Sequence, residues 1–292
     1  MSPTLHTVRE WLKRAGAASA HALLKVRPER RRVVGLCYHS IHPSLSFASA
    51  SPECFERQLA WLAETCDVIS LRAMLDAATD SDSDRPAVAI TFDDGYADNH
   101  EFAFPLLRKY GLPATIFITA GLSDGDPAVL ERFRKLRGVP ADEIRPLEWA
   151  QAREMQAEGL EMGAHTYSHP NLIRLSREEV AAELRVSKEI LEDRLDAPVD
   201  LLAYPFGKPR RQLDETTVAV ARESGYTHAA AILSRSVRPG DSPLVLPRFF
   251  ATRDSVNTLS AKVRGDWDYL GVWQERAPRP LARLVSPQDF RF

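Results

Sequence analysis

From residue 33 onward, short apolar runs rich in β-branched residues alternate with longer stretches whose apolar positions recur every three or four residues. Val33-Val34-Gly35-Leu36-Cys37-Tyr38 and Ala87-Val88-Ala89-Ile90-Thr91-Phe92 carry no charge, the pattern of strands covered on both faces. Shorter runs at 67–69, 114–118, 160–164, 200–204 and 227–232 read as further strands, and Leu244-Val245-Leu246 is one more apolar run. Helical spacing fills the gaps: 52–65, with Ser51 as cap before Pro52, then 71–78, a helix ending near Tyr110, 146–158, 176–194 and 212–224. Such alternation predicts an α/β fold with a mainly parallel sheet, open or closed into a barrel. No internal repeat interrupts it.

Two segments stand outside this alternation. Residues 1–32 hold eight Lys or Arg against Glu10 and Glu29, a net of +6, while the whole chain carries -2. Leu5, Val8, Trp11, Leu12, Ala15, Ala22 and Leu23 recur there at helical spacing, which predicts a basic amphipathic helix. Its expected place is the outside of the fold, arginines in solvent, with peripheral contact to an anionic membrane face as the alternative. Residues 271–292, with Pro278, Pro280 and Pro287, read as a surface arm, which leaves 33–270 as the central domain. No secretory signal or membrane-spanning run is legible, so the expected location is cytoplasmic, with peripheral attachment at the inner membrane face as the variant. The segment from Gly121 to Arg145 is the longest irregular insertion, either a lid over a site or a solvated helix and loop; Asp124, Asp126, Glu131, Arg132, Arg134, Lys135 and Arg137 make the latter the expectation.

Composition narrows the class without naming a function. Hydrophobic residues at 44% and charged residues at 27% are those of a soluble globular chain, and 292 residues can bury a core without staples. Cys37, Cys54 and Cys66 are odd in number and unpaired in spacing, against a disulfide framework or a cysteine-rich zinc site. The near-neutral charge gives no reason to expect a nucleic-acid partner. No feature specifies an oligomeric state.

In an α/β barrel the reactive groups sit where strands end. Thr91-Phe92-Asp93-Asp94-Gly95-Tyr96 places two adjacent carboxylates directly after a buried strand, able to point to different neighbours, although helix capping is the plainer use of either. Gly163-Ala164-His165-Thr166-Tyr167-Ser168-His169-Pro170 sets two histidines four apart at a second strand end, and Pro170 stops a regular helix beyond them. Two imidazoles and one carboxylate form the ligand set of a catalytic zinc site with an open position.

These segments resemble the first two motifs of the polysaccharide deacetylases, carbohydrate esterase family four, and Tyr204-Pro205-Phe206-Gly207 is similar to the third. The resemblance extends over about residues 33–250 and implies a distorted (β/α) barrel with fewer than eight complete units. It implies a hydrolase that removes acetyl groups from N-acetylhexosamine units of a sugar polymer or its glycoconjugate precursor. Carried over by position, Asp94, His165 and His169 would hold one divalent metal, zinc by expectation, with cobalt, nickel, iron or manganese compatible. Asp93 would be the general base, and the Phe206 backbone N–H would help hold the oxyanion.

The pattern departs from the commonest family form in two places. The acid histidine on a late strand is missing, and His228 enters a strand rather than leaving it. His39, at the end of the first strand, resembles the acid of the rearranged branch that includes poly-N-acetylglucosamine deacetylases. Where many members carry an arginine that holds the base, this chain has Ala203, and Arg248 is the candidate replacement, at the base or on the substrate. Tyr167 and Tyr204 are candidates to line a sugar groove. A catalytically silent carbohydrate-binding protein of the same fold and an amidohydrolase on non-sugar amides are the competing readings.

Overall fold

The computed structural model describes residues 31–276 apart from 45, 81–82 and 141–142. The predicted basic helix lies outside the described residues except for its last two arginines. Both of these are engaged by the domain instead of standing in solvent. Arg31 pairs with Asp67 and with Asp80 (3.0 Å), and Arg32 pairs with Asp268 (3.0 Å).

Eight strands form one parallel sheet: β1 (Val33–Tyr38), β2 (Asp67–Ile69), β3 (Ala87–Phe92), β4 (Thr115–Ile118), β5 (Glu161–Ala164), β6 (Leu201–Ala203), β7 (His228–Ala230) and β8 (Arg248–Phe250). Their order is β7-β6-β5-β4-β3-β1-β8, with β2 lying beside β3. The two uncharged six-residue runs are the central pair, in register from Val33↔Ala87 to Tyr38↔Phe92 and buried throughout. On its other edge β3 changes partner midway, from β2 at Ala87–Ala89 to β4 at Thr91 and Phe92. A parallel bridge Ala230↔Leu246, with Leu246 N–H donating to Ala229 O and Ala231 N–H to Leu246 O (each 2.8 Å), brings β7 against the chain entering β8. The sheet is thereby a nearly closed barrel.

Helices follow β1 (Pro52–Thr65), β3 (Phe104–Tyr110), β5 (Arg177–Leu195) and β6 (Glu215–Glu223), and three follow β4. None lies in residues 231–247 between β7 and β8, so the units are fewer than eight, as expected for this barrel type. Local sequence sets the ends of these helices. Ser51 accepts from Cys54 N–H at the first helix, with Pro52 opening it, and Ser176 and Glu179 form a capping box at the longest. Two sequence expectations change. The helix predicted over 71–78 is confined to Met74–Ala77. The helix Asp268–Arg276 crosses the expected domain end: Gly271 N–H donates to Ser234 O (2.9 Å), and Gln274 and Glu275 hold Ser234 and Arg235. Residues 271–276 are therefore part of the domain, and the predicted arm lies outside the described residues from 277 onward. Among the described residues no helix is long and apolar enough to cross a membrane.

Side chains alternate between the two faces of each strand. Along β3, Val88, Ile90 and Phe92 join the large cluster beneath the helices, whereas Ala87 and Ala89 join a smaller one with Val33, Phe117, Leu201, Ala203 and Ala230. The inward set is dominated by small residues, and the room it leaves is taken by the side chain of Arg248, fully buried at the start of β8. Gly35 on β1 makes this possible. A Cβ there would stand 2.7 Å from Arg248 Cγ and 2.8 Å from Pro247 O. Gly35→Ala should therefore lower stability by ~1–3 kcal/mol through overpacking, read from the midpoint of urea unfolding. An unchanged midpoint would show that the interior yields at this point.

Candidate active site

The C-terminal ends of β1, β3 and β5 meet at the barrel mouth, and backbone hydrogen bonds join the loops that leave them. Asp93 N–H donates to Tyr38 O (2.9 Å), Thr119 N–H to Asp94 O (3.2 Å) and His165 N–H to Ile118 O (2.8 Å). These links bring the predicted carboxylates and histidines together, all within a tenth of full exposure. The turns are unusual. Asp94 (φ 78°), Thr166 (φ 64°), His169 (φ 55°) and Phe206 (φ 62°) adopt left-handed backbone that non-glycine residues rarely hold. They are over-determined by their surroundings. His169 N–H donates to Thr166 Oγ1 (3.0 Å), and Glu183, from the long helix Arg177–Leu195, takes both Ser168 N–H (2.8 Å) and Ser168 Oγ–H (2.6 Å).

Asp94 Oδ1 lies 3.5 Å from His165 Nε2 and 3.4 Å from His169 Nε2, and among the described residues no hydrogen-bond donor reaches it although Asp94 is fully buried. His165 Nδ1 is 2.7 Å from Ala203 O, which assigns the proton to Nδ1 and leaves Nε2 as a lone pair facing Asp94. A lone pair and a carboxylate oxygen at this separation repel unless a cation lies between them. The donor set therefore fits one divalent metal held by Asp94, His165 and His169. Burial lowers the pKa of His169 to about 3, so its ring is neutral at working pH, as a ligand must be. Asp94 is held well below the usual carboxylate range: burial opposes ionisation, but Arg137 and the three histidines outweigh it.

Asp93 faces the barrel interior and is gripped from below. Arg248 donates Nη1–H to Asp93 Oδ1 (2.7 Å) and Nη2–H to Oδ2 (2.8 Å), and Nη1–H also reaches Thr91 Oγ1 (2.7 Å). The Phe117 ring lies 5.5 Å from the guanidinium carbon. Cys37, whose thiol burial keeps protonated, approaches Asp93 Oδ2 at 3.3 Å. Burial would raise the pKa of Asp93, but Arg248 brings it down to about 2. The arginine absent at Ala203 thus has a counterpart on β8, and Ala203 contributes its carbonyl to His165 instead. Because Arg248 is sealed beneath Asp93, it cannot touch a substrate, which corrects the substrate-binding half of its sequence assignment.

His39 is half-buried beside this pair, its ring stacked on Phe250 (5.8 Å) and its main chain held by Asn99 Nδ2–H to His39 O (2.7 Å) and by Ser49 Oγ (2.9 Å). Ligand atoms of Cys37, His39 and Asp93 lie within 4.8 Å of one another. Burial lowers the pKa of His39 to about 4. His228, its rival in the sequence, begins β7 and meets Thr227 Oγ1 (3.0 Å) at the opposite end of the barrel. Phe206 stands with its ring edge-on to His169 (4.9 Å), and among the described residues nothing accepts its N–H.

One aromatic expectation is overturned. Tyr204 is fully buried and donates to Leu244 O (3.1 Å), a core role, so it lines no groove. Tyr167 is half-buried, donates to Asp126 Oδ2 (2.7 Å) and packs on the insertion. The insertion itself is not the solvated element the charges imply. Asp126 caps the helix Pro127–Arg137, whose Val129 and Phe133 are buried, and Phe133 meets the His169 ring at 5.2 Å. One turn on, Arg137 forms an ion pair with Asp94 Oδ2 and donates Nε–H to Tyr96 OH (2.8 Å). The only sequence signal for this was Val129 and Phe133, four apart on the side that Arg137 continues.

The fold and this group of side chains define a parallel barrel with a candidate metal centre at its mouth. The chain belongs to the polysaccharide deacetylase family, whose model matches residues 80–229. It is 30% identical to the YxkH protein of Bacillus subtilis (strain 168) over 193 residues, 65% of this chain and 61% of that protein, so it spans less than two thirds of that relative's length. It is 25% identical to the poly-beta-1,6-N-acetyl-D-glucosamine N-deacetylase of Staphylococcus aureus (strain MRSA252) over 230 residues, 75% of this chain and 72% of that one. Among solved structures, IcaB from Ammonifex degensii superposes with a TM-score of 0.65 at 26% identity, covering 80% of this chain and 98% of that one. The Streptococcus pyogenes deacetylase PplD shares the fold with a TM-score of 0.66 at 24% identity, covering 80% and 99%.

Arg248→Leu should cost ~3–5 kcal/mol, because it leaves a buried carboxylate without its counter-charge. Replacing Asp93 by Asn as well should return much of that loss, read as a double-mutant cycle in urea unfolding. Independent costs that simply add would deny the coupling. The acid behaviour has a defined sign. Asp93 falls from 3.8 unfolded to about 2 folded, so its stabilisation is complete above pH 4 and is lost as pH drops toward 2. His39 and His169 have depressed folded values against 6.5 unfolded, so metal-stripped protein should already lose stability from pH 6.5 down to about 4. A flat stability profile across that interval would contradict the burial of neutral imidazoles.

Proposed function

We propose that the protein is a metal-dependent N-deacetylase that removes acetyl groups from N-acetylhexosamine units of a polysaccharide or its glycoconjugate precursor. The observation that carries this reading is the division of labour between adjacent carboxylates. Asp94 turns one unpaired oxygen toward two imidazoles, while Asp93 is fixed through both oxygens by Arg248. Family membership and the activity named for the Staphylococcus aureus relative support the choice of substrate class.

An amide is a poor electrophile, and a divalent metal on Asp94, His165 and His169, zinc by expectation, would polarise its carbonyl and acidify a water beside it. The remaining steps fall to the chain. Asp93 is ionised throughout the working pH range and cannot rotate away from its two guanidinium bonds, so one face of its carboxylate stays directed at the mouth to receive the water's proton. Its low pKa makes it a weak base, which is why acidified water is required. Among the described residues nothing accepts the Phe206 N–H, which leaves it free to donate to the developing oxyanion. His39 starts neutral and close to Asp93, so it gains the proton taken from water and delivers it to the departing amine.

The test is acetate release from N-acetylglucosamine oligomers by metal-stripped protein, with zinc or cobalt restored. Release should need the metal, and Asp93→Asn and His39→Ala should each cut kcat by roughly 10²–10⁴-fold while zinc still binds. Release without any divalent metal, or undiminished in Asp93→Asn, would overturn the proposal.

A further inference from the structure

Arg137 reaches this mouth although neither the motifs nor the proposed chemistry gives it work. It comes from the insertion, not from a barrel strand, and its side chain is 11% exposed. The guanidinium lies 5.9 Å from the Phe47 ring and 5.8 Å from that of Tyr96, with Nε–H on Tyr96 OH and Nη2–H on Asp94 Oδ2. Asp94 thus has one oxygen on a fixed cation and the other, Oδ1, aimed at the histidines. The helix carrying Arg137 is anchored independently by Asp126, Val129 and Phe133, so the charge is delivered to a set place.

We propose that Arg137 is a positioning residue that acts as a built-in cation on the metal-binding carboxylate, satisfying Asp94 when no metal is bound and opposing the metal when one enters. This rests on the reading of Asp94, His165 and His169 as metal ligands. Two cations that satisfy one carboxylate are coupled antagonistically, because each lowers what the other gains and the coupling is reciprocal. The opposite effect, loss of ligand alignment without Arg137, is the weaker one. Asp94 is placed by its own left-handed turn, by Thr119 N–H on its carbonyl (3.2 Å) and by complete burial. Removing the guanidinium therefore leaves the carboxylate where it is, with its charge uncompensated.

Zinc affinity, measured by competition with a chromophoric chelator, and thermal unfolding with and without zinc test this on the full chain. Arg137→Gln should unfold at lower temperature when stripped of metal, recover most of the deficit with zinc, and bind zinc roughly tenfold or more tightly than the unmodified protein. Arg137→Lys keeps the charge and should stay within about threefold of the unmodified affinity, and Lys135→Gln, which removes an exposed charge from the same helix, should leave it unchanged. A residue that only packed the helix would lower zinc affinity and stability together. Equal or weaker zinc binding in Arg137→Gln would overturn the proposal; where Arg137→Gln is too unstable to load, zinc binding by Arg137→Lys well beyond about threefold tighter than in the unmodified protein would overturn it, and binding within about threefold would support it. Failure of the unmodified protein to bind zinc would instead remove the ligand assignment on which the proposal stands.

Discussion

The arrangement depends on one buried ion pair, Arg248 with Asp93. An arginine inside a narrow barrel costs several kcal/mol in lost hydration, and only a full set of partners offsets it. Both Asp93 oxygens, Thr91 Oγ1 and the face of Phe117 supply that set. The guanidinium also needs space, which fits Gly35 on the inward face of β1 and Ala87 and Ala89 on that of β3, while Val88, Ile90 and Phe92 lie beneath the helices. Gly163 extends the same logic one layer out. A Cβ there would stand 2.6 Å from the Phe117 ring on which the guanidinium rests. Interior composition, closing strand and the fixed Asp93 carboxylate are tied to the same charge.

Most of the barrel was legible because parallel strands buried on both faces leave unbroken apolar runs. β8 was less so: Arg248 begins it, and an arginine looks like the end of a strand unless its partner is known. The site divides along similar lines. Asp93, Asp94, His165, His169 and His39 occur in short segments directly after apolar runs, so position alone points to them. Arg137 does not, since a charged residue in a charged helix reads the same whether it faces solvent or a carboxylate 43 positions away. Tyr204 misleads for the converse reason. Its place within a motif is visible, but that its ring turns into the core to donate to Leu244 O depends on a partner 40 positions away.

Backbone strain is concentrated where chemistry is proposed. Each left-handed non-glycine residue costs ~1–3 kcal/mol, and Asp94, Thr166, His169 and Phe206 carry it within one loop cluster. The left-handed turns at Asp94 and His169 bring their side chains to a shared point with His165, and the one at Thr166 sets its hydroxyl to accept from His169 N–H. Glu183 on Ser168, Asn99 on His39 and the backbone links between strand ends hold the conformations that result. Rigidity here comes from polar groups outside the reacting set, placed on helices and turns that the core fixes independently.

The place of Arg248 in chain order has a consequence for biogenesis. A chain leaving the ribosome acquires Asp94, His165 and His169 early, and β3 through β7 follow one another in sequence and in space. The counter-ion of Asp93 arrives only with β8, which must then pair with β1, the first of the described strands to be made (Gly35↔Arg248). The residues proposed to hold a metal would therefore be available well before the proposed base is fixed. On that reading, competence would wait for the two ends of the barrel to meet, and an incompletely synthesised chain would present the metal ligands without the base held in place.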